Sequence, residues 1–200
     1  MEKLRGCLHV NEDLSLTGGA EKMVRQIGLE LSRRGLEVGL VSTHEFRDHT
    51  GLKEYVIPSF NRHYALEYIP ELAQTVINIM NIQGYDLLHA YSVTNNELLR
   101  EIAKTKPVLK SVYDSRSFCP TENRLKVRGD ICTESVGINC IDCMEEFGIP
   151  GEVKKRLAQT MSGLATMDSY KFVFTPSEYV RRQLMLNNIF PDKIKVLPFF

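Results

Sequence analysis

Short apolar runs alternate with longer segments of helical period along nearly all of the 200 residues. This alternation limits the possible folds more than any other feature. A strand, a helix and a second strand return to one sheet through a right-handed crossover, so a series of such units builds a parallel sheet. Residues 4–10 read as the first strand, running into a polar loop at 11–19. Ala20, Met23, Val24, Ile27 and Leu31 then recur at helical spacing. Arg33, Arg34 and Gly35 stop that helix, since cations suit its negative end and glycine tolerates the left-handed cap. Further strands are expected at 37–43, 55–57, 86–90, 108–113, 171–174 and 195–197. A helix is expected at 69–83, ended by Gly84. Two more should follow the capping-box sequences Thr94-Asn95-Asn96-Glu97 and Thr175-Pro176-Ser177-Glu178. The predicted class is α/β with a doubly wound parallel sheet, and 200 residues suit one domain. Residues 118–147 lack a clear period, and a stretch of that length inside a compact domain is usually functional.

Charge narrows the partners. Lys and Arg number 25 and Asp and Glu 25, so the formal net charge is zero. A nucleic-acid binder needs an excess of cations to neutralise phosphates, and neutrality argues against that class. The longest uncharged stretch, 72–85, is too short to span a bilayer and is interrupted by Gln74, Asn78, Asn81 and Gln83. The opening Met1-Glu2-Lys3-Leu4-Arg5 lacks the apolar run of a secretory signal, so a cytoplasmic location is expected. Cytosolic cysteines are not expected to form a disulfide framework.

In an open parallel sheet, ligands bind beyond the carboxyl ends of the strands, so the loops that follow strands carry the candidate site. The first holds Gly18 and Gly19 at a strand-to-helix turn. Such a pair either lets a ligand approach the backbone closely or simply makes a tight turn. It matches neither the dinucleotide fingerprint nor a P-loop, and Glu21 in the first helical turn would weaken attraction for a phosphate. His89 ends the fourth strand, where it reads as a structural histidine or an acceptor contact. His44 and His49 are spaced wrongly for two ligands on one helical face and read as loop residues. Four cysteines cluster as Cys119-x12-Cys132-x7-Cys140-x2-Cys143, while Cys7 stands apart. One C-x-x-C with two further cysteines fits a tetrahedral structural zinc site; free thiols or oxidised pairs fit the spacing too. Lys154, Lys155 and Arg156 begin a basic helix face, read as solvated or as suited to docking on a membrane surface.

The order of several segments resembles the N-terminal half of retaining GT-B glycosyltransferases of the glycogen-synthase-like group, family 4. The segments are Gly18-Gly19-Ala20-Glu21, Tyr85-Asp86-Leu87-Leu88-His89-Ala90, Thr175-Pro176-Ser177-Glu178-Tyr179-Val180-Arg181 and Lys193-Ile194-Lys195-Val196-Leu197-Pro198. Phe118-Cys119-Pro120, with Gly129 and Cys132, resembles an insertion some members carry after their fifth strand, here at about 117–148. The resemblance implies a single Rossmann-like, acceptor-side domain over 1–200. It implies a nucleotide diphosphate sugar as donor, bound mainly by a C-terminal domain absent from this chain. The sequence stops at Phe199-Phe200, where the interdomain linker should start. The whole enzyme would transfer a sugar to a glycan or lipid-linked acceptor, at the inner face of the membrane in some members, and this domain alone would be inactive. Gly18, Gly19, His89 and Arg116 would face the substrates. Members commonly carry His-Asp where this chain has Tyr113-Asp114, so the catalytic assignment stays unknown. Tyr113 keeps a competing reading open: a non-catalytic binding or scaffold domain with a structural zinc loop.

Overall fold

A computed structural model describes residues 4–14, 18–58 and 70–198. Ile69, Ser15-Leu16-Thr17, Met1-Glu2-Lys3 and Phe199-Phe200, all used in the sequence reading, lie outside the described residues. The chain gathers into two compact units. One takes in the described residues up to Ser111 together with 169–171, and the other takes in 112–168 and the residues from Phe172 onward.

The first unit is built on β1 (Gly6–Val10), β2 (Glu37–Ser42), β3 (Lys53–Val56), β4 (Leu87–Ala90) and β5 (Val108–Ser111). They lie in the order β3-β2-β1-β4-β5, and each pairing is parallel. All five residues of β1 are buried, as a central strand of a parallel sheet requires. The crossovers are α1 (Gly19–Arg33), α2 (Pro70–Gln83) and α3 (Asn96–Ala103). Helix α1 ends as the sequence predicts: Gly35 adopts φ +88°, and the N–H groups of Gly35 and Leu36 return to the carbonyls of Ser32 and Leu31.

The second unit pairs β6 (Phe172–Thr175) with β7 (Ile194–Val196), again in parallel. It adds α4 (Asn139–Glu146), α5 (Val153–Thr166) and α6 (Glu178–Leu186). Strands in parallel pairs flanked by helices are the Rossmann-like α/β architecture that the alternation predicts.

Three expectations shift on contact with the structure. Asn95, not Thr94, caps α3, accepting from the Leu98 N–H at 3.0 Å. Thr94 is already committed, because its N–H and hydroxyl both donate to the Glu12 carboxylate. Ser177, not Thr175, caps α6. Thr175 belongs to the β6 ladder, its carbonyl accepting from the Leu197 N–H at 2.8 Å. The third concerns 118–147, which is not without structure. It holds α4 and a hairpin closed by an antiparallel bridge between Leu125 and Ile131.

Tight packing around Tyr85 fixes β1 against β2. A Cβ added to Gly39 would lie 2.8 Å from Tyr85 Cζ and 2.9 Å from Leu8 Cδ1, and both side chains are buried. Neither can swing into solvent. Replacing Gly39 with alanine should therefore destabilise the fold by about 1–3 kcal/mol through overpacking, measured as a lower urea midpoint.

Candidate functional site

The carboxyl ends of β1, β2 and β4 in the first unit carry a dense set of polar contacts. Parallel register sets His9 directly beside His89. The Tyr91 hydroxyl, just past β4, bridges them at 2.7 Å from His9 Nδ1 and 3.0 Å from His89 Nδ1. His89 Nε2 continues the chain to Ser111 Oγ at 2.8 Å. One hydroxyl carries one proton, so Tyr91 donates to one Nδ1 and accepts from the other. The two imidazoles must therefore hold opposite tautomers. His9 Nε2 is buried with no hydrogen-bond partner among the described residues.

The loops that follow are laced to each other. Asn11 Oδ1 accepts from the Ser92 N–H at 3.0 Å, and the Glu12 carboxylate from the Thr94 N–H at 2.6 Å. The Glu12 carbonyl accepts from the Thr43 N–H at 3.1 Å, and Ser42 Oγ from the Leu14 N–H at 3.1 Å. The buried Lys110 ammonium donates to the carbonyls of Tyr91 and Val93. Arg25, buried on α1, donates to the Asp48 carbonyl and so ties down the loop after β2. A rigid polar platform results, with its own donors and acceptors largely consumed in holding its shape.

The residues singled out in the sequence fall into this frame unevenly. Gly18 is the N-cap of α1 and Gly19 its first residue. Among the described residues, a Cβ on Gly19 would meet no heavy atom within 4 Å, so none of them demands glycine there. A Cβ on Gly18 would run into the Glu21 carboxylate. Glu21 thus sits over the positive end of α1, and an anion binding there must displace it. Both ring nitrogens of His89 are engaged by protein, and its ring is buried.

In the second unit, Tyr113 is half-buried and precedes Asp114, which caps the 3-10 turn Ser115–Ser117 through the Arg116 N–H at 2.9 Å. Asp114 also pairs with the Arg116 guanidinium at 2.6 Å, both side chains about half exposed. An exposed pair of this kind contributes at most about 1 kcal/mol, so it is a pairing that a ligand can compete for. Cys119 and Cys140 are buried, Cys132 and Cys143 partly so, and all four are free thiols. Among the described residues no three His, Cys, Asp or Glu side chains are arranged to hold a metal ion.

Sequence reading missed His9, Tyr91, Glu12 and Arg25. A signal for the first existed: Leu8-His9-Val10 and Leu88-His89-Ala90 each precede a polar loop, and pairing those strands in register brings the histidines together. A depression of about 430 Å³ lined by Pro70, Gln74, Asn78 and Glu101 includes none of the strand-end residues and lies apart from this chemistry. No helix among the described residues is long and apolar enough to cross a membrane.

A glycosyltransferase from Rickettsia africae matches over 98% of this chain and 43% of its own, with a TM-score of 0.59 and 15% identity. Sucrose-phosphate synthase from Thermosynechococcus elongatus matches over 97% of this chain and 48% of its own, at 0.60 and 12%. HepE from Anabaena, in complex with UDP-glucose, matches over 96% and 43%, at 0.56 and 11%. The likeness is one of fold. It sets this chain beside one Rossmann-like half of GT-B glycosyltransferases, and the chain spans less than half the length of each of these three proteins. No protein-family model and no curated protein matches the sequence.

Burial makes both imidazoles poor bases. It lowers the His9 pKa from 6.5 to about 4 and pushes His89 well below the usual histidine range; His9, then Lys110, depress His89 further. The unfolded chain therefore binds more protons than the fold between pH 6.5 and 4. Stability from these groups is complete above pH 6.5 and is lost as pH falls through that window. For His9 alone the loss is about 3 kcal/mol. Urea midpoints at pH 7, 5.5 and 4 should fall in step, and the slope should flatten in His9→Phe.

Proposed function

We propose that this chain is the N-terminal, acceptor-side domain of a retaining, family 4-like glycosyltransferase. The whole protein would move a sugar from a nucleotide diphosphate sugar to a glycan or lipid-linked acceptor, working at the cytoplasmic face of a membrane. The observation that carries this reading is a fold match over nearly the whole chain to less than half of each of the three glycosyl-transferring proteins. The ordered sequence resemblance supports it. So does the chemistry of the platform, whose polar groups are largely engaged with one another and suit positioning.

On this reading the donor is held mainly by a second domain, and the 200 residues alone are inactive. Gly18 and Gly19 give a substrate close approach to the backbone, Arg116 exchanges Asp114 for an anionic group, and His89 acts through Tyr91 and Ser111. Tyr113 and Asp114 occupy the family's His-Asp position. Tyrosine can donate to a sugar hydroxyl, but it does not titrate near neutrality. The engagement of Asp114 by Arg116 favours a second reading, a non-catalytic binding domain of the same fold.

Two measurements test the proposal. Nucleotide release should be seen with the protein encoded by the complete reading frame, given nucleotide diphosphate sugars and an acceptor extract, and not with residues 1–200 alone. Failure of the complete protein to turn over any donor, while still binding glycan, would favour the second reading. In the complete protein, Gly19→Val should lower turnover about 10-fold or more by obstructing approach. Its effect on stability should stay within about 0.5 kcal/mol, because nothing among the described residues crowds that position.

A further inference from the structure

The histidine pair of the first unit carries a proton order as well as a geometry. His9, His89, Tyr91 and Ser111 are all buried. Their rings hold one another: His89 and Tyr91 stack at 4.2 Å between centroids, and His9 lies 5.5 Å from His89 and 5.6 Å from Tyr91. Rings packed in this way cannot turn out to water, so each nitrogen is used where it stands.

The hydrogen bonds run without a break. His9 Nδ1 meets the Tyr91 hydroxyl at 2.7 Å, that hydroxyl meets His89 Nδ1 at 3.0 Å, and His89 Nε2 meets Ser111 Oγ at 2.8 Å. A neutral imidazole carries one ring proton, and a hydroxyl carries one. Burial disfavours the cationic form of both rings, and His9 and the buried Lys110 ammonium disfavour it further at His89. With both rings neutral, each link fixes the next, and the chain has two states. In the first, His9 Nδ1–H donates to Tyr91, Tyr91 donates to His89 Nδ1, and His89 Nε2–H donates to Ser111. In the second, Ser111 donates to His89 Nε2, His89 Nδ1–H donates to Tyr91, and Tyr91 donates to His9 Nδ1.

The open end of the chain decides between them. His9 Nε2 is buried with no hydrogen-bond partner among the described residues. The first state leaves a bare ring nitrogen there, and the second leaves an orphaned N–H. Orphaned buried N–H groups are rarer in folded proteins than under-satisfied acceptors, which favours the first state. The consequence appears at the other end. Ser111 is the last residue of β5, and in the first state it accepts from His89 and keeps its own proton to donate. In the second state that proton is spent on His89.

We propose that His9, Tyr91, His89 and Ser111 form a proton-ordered relay, with the ring proton of His9 on Nδ1 and that of His89 on Nε2, which sets the Ser111 hydroxyl as a hydrogen-bond donor at the carboxyl end of β5. Ligands of a parallel sheet sit beyond such ends. The group that Ser111 suits there is an acceptor, the oxygen of a hydroxyl or a carbonyl. His9, Tyr91 and His89 are positioning residues that act through Ser111. The relay stands whether or not the chain belongs to a glycosyltransferase.

The test uses the whole chain with ring-¹⁵N histidine at pH 7. Long-range ¹H–¹⁵N correlation spectra separate bare from protonated ring nitrogens, and His9→Gln and His89→Gln assign the two rings by the signals each removes. His9 should show a protonated Nδ1 and a bare Nε2, and His89 the reverse. Each tautomer should lead by about 10 to 1 or more, from the cost of orphaning a buried donor. Ser111→Ala removes the acceptor at the far end, so either state then leaves one N–H orphaned. His9 should fall to a ratio within about 3 to 1, although three hydrogen bonds separate it from Ser111. Tyr91→Phe keeps the ring and removes the bridge, and in that background Ser111→Ala should leave His9 unmoved. The wild-type spectrum tests the proton order even where a variant fails to fold. Both rings in one tautomer, the opposite order, or a cationic ring at pH 7 overturns the proposal. His9 nitrogens unmoved by Ser111→Ala in a folded protein that retains Tyr91 overturn the coupling.

Discussion

The first unit depends on burying the polar ends of β1 and β4 with most of their polar atoms satisfied. A parallel sheet covered on both faces excludes water from its central strands, and a buried polar group without a partner costs about 1–3 kcal/mol. Two histidines side by side in such a sheet would be a liability as cations. The Tyr91 hydroxyl resolves this by bridging them as neutral rings, and Ser111 closes the far end. The position of Tyr91 then matters, and Lys110 fixes it by donating to the carbonyls of Tyr91 and Val93. The turn after β4 is thus set by side chains from β1, β4 and β5 together.

From that anchor the neighbouring loops follow. With the chain at 91–95 held, Glu12 can receive Thr94, which leaves Asn95 to cap α3. Asn11 can receive Ser92, and the Glu12 carbonyl can receive Thr43. The loops beyond three strands are therefore one connected network, although His9 Nε2, Arg25 Nη1 and Asn95 Nδ2 lack a hydrogen-bond partner among the described residues. A surface of this kind suits a domain that positions a substrate. Burial disfavours the cationic form of both imidazoles, and Tyr91 and Ser111 engage both ring nitrogens of His89, while His9 Nε2 has no partner among the described residues.

The fold was legible because it is written in period. Apolar runs of strand length and stripes of helical spacing survive in β1, β2, β4 and α1 without help from tertiary contacts, and Gly35 states its own φ. Cap positions were legible only to within a residue or two, because Thr94 and Thr175 have the right chemistry for a cap but stronger claims elsewhere. The site was far less legible. Gly18, His89 and Asp114 stand at strand or helix ends and could be picked out singly. Which groups they meet is a matter of register, and Tyr91 or Arg25 look in sequence like any core aromatic or helix cation. Nothing in the local pattern announces that Arg25 turns inward to the Asp48 carbonyl.

The two units also show opposite solutions to one problem. In the first, buried polar atoms are closed mostly by each other, so the native state holds its own account of hydrogen bonds and charge. In the second, the hairpin around Arg124 places a guanidinium inside and Leu125, Val127 and Ile131 outside. Binary patterning alone would turn that segment over, since 124–132 alternates well enough to bury Leu125, Val127 and Ile131 against a core. Its actual orientation forgoes what those three side chains would gain, about 1.5–3 kcal/mol each if fully buried, so other contacts of the segment favour it. The ion pair between Lys126 and Glu134 is half exposed and too weak to do so. What the inner face does offer is a buried cluster of Cys140, Met144 and Val153 with Val136, Ile141, Ile149 and Leu157 packed against it, together with the Arg124 contact to the Glu134 carbonyl and the Val136 N–H donated to Asn187 Oδ1. The segment is thus ordered through its α4 end and its polar contacts rather than through the hairpin's aliphatic residues.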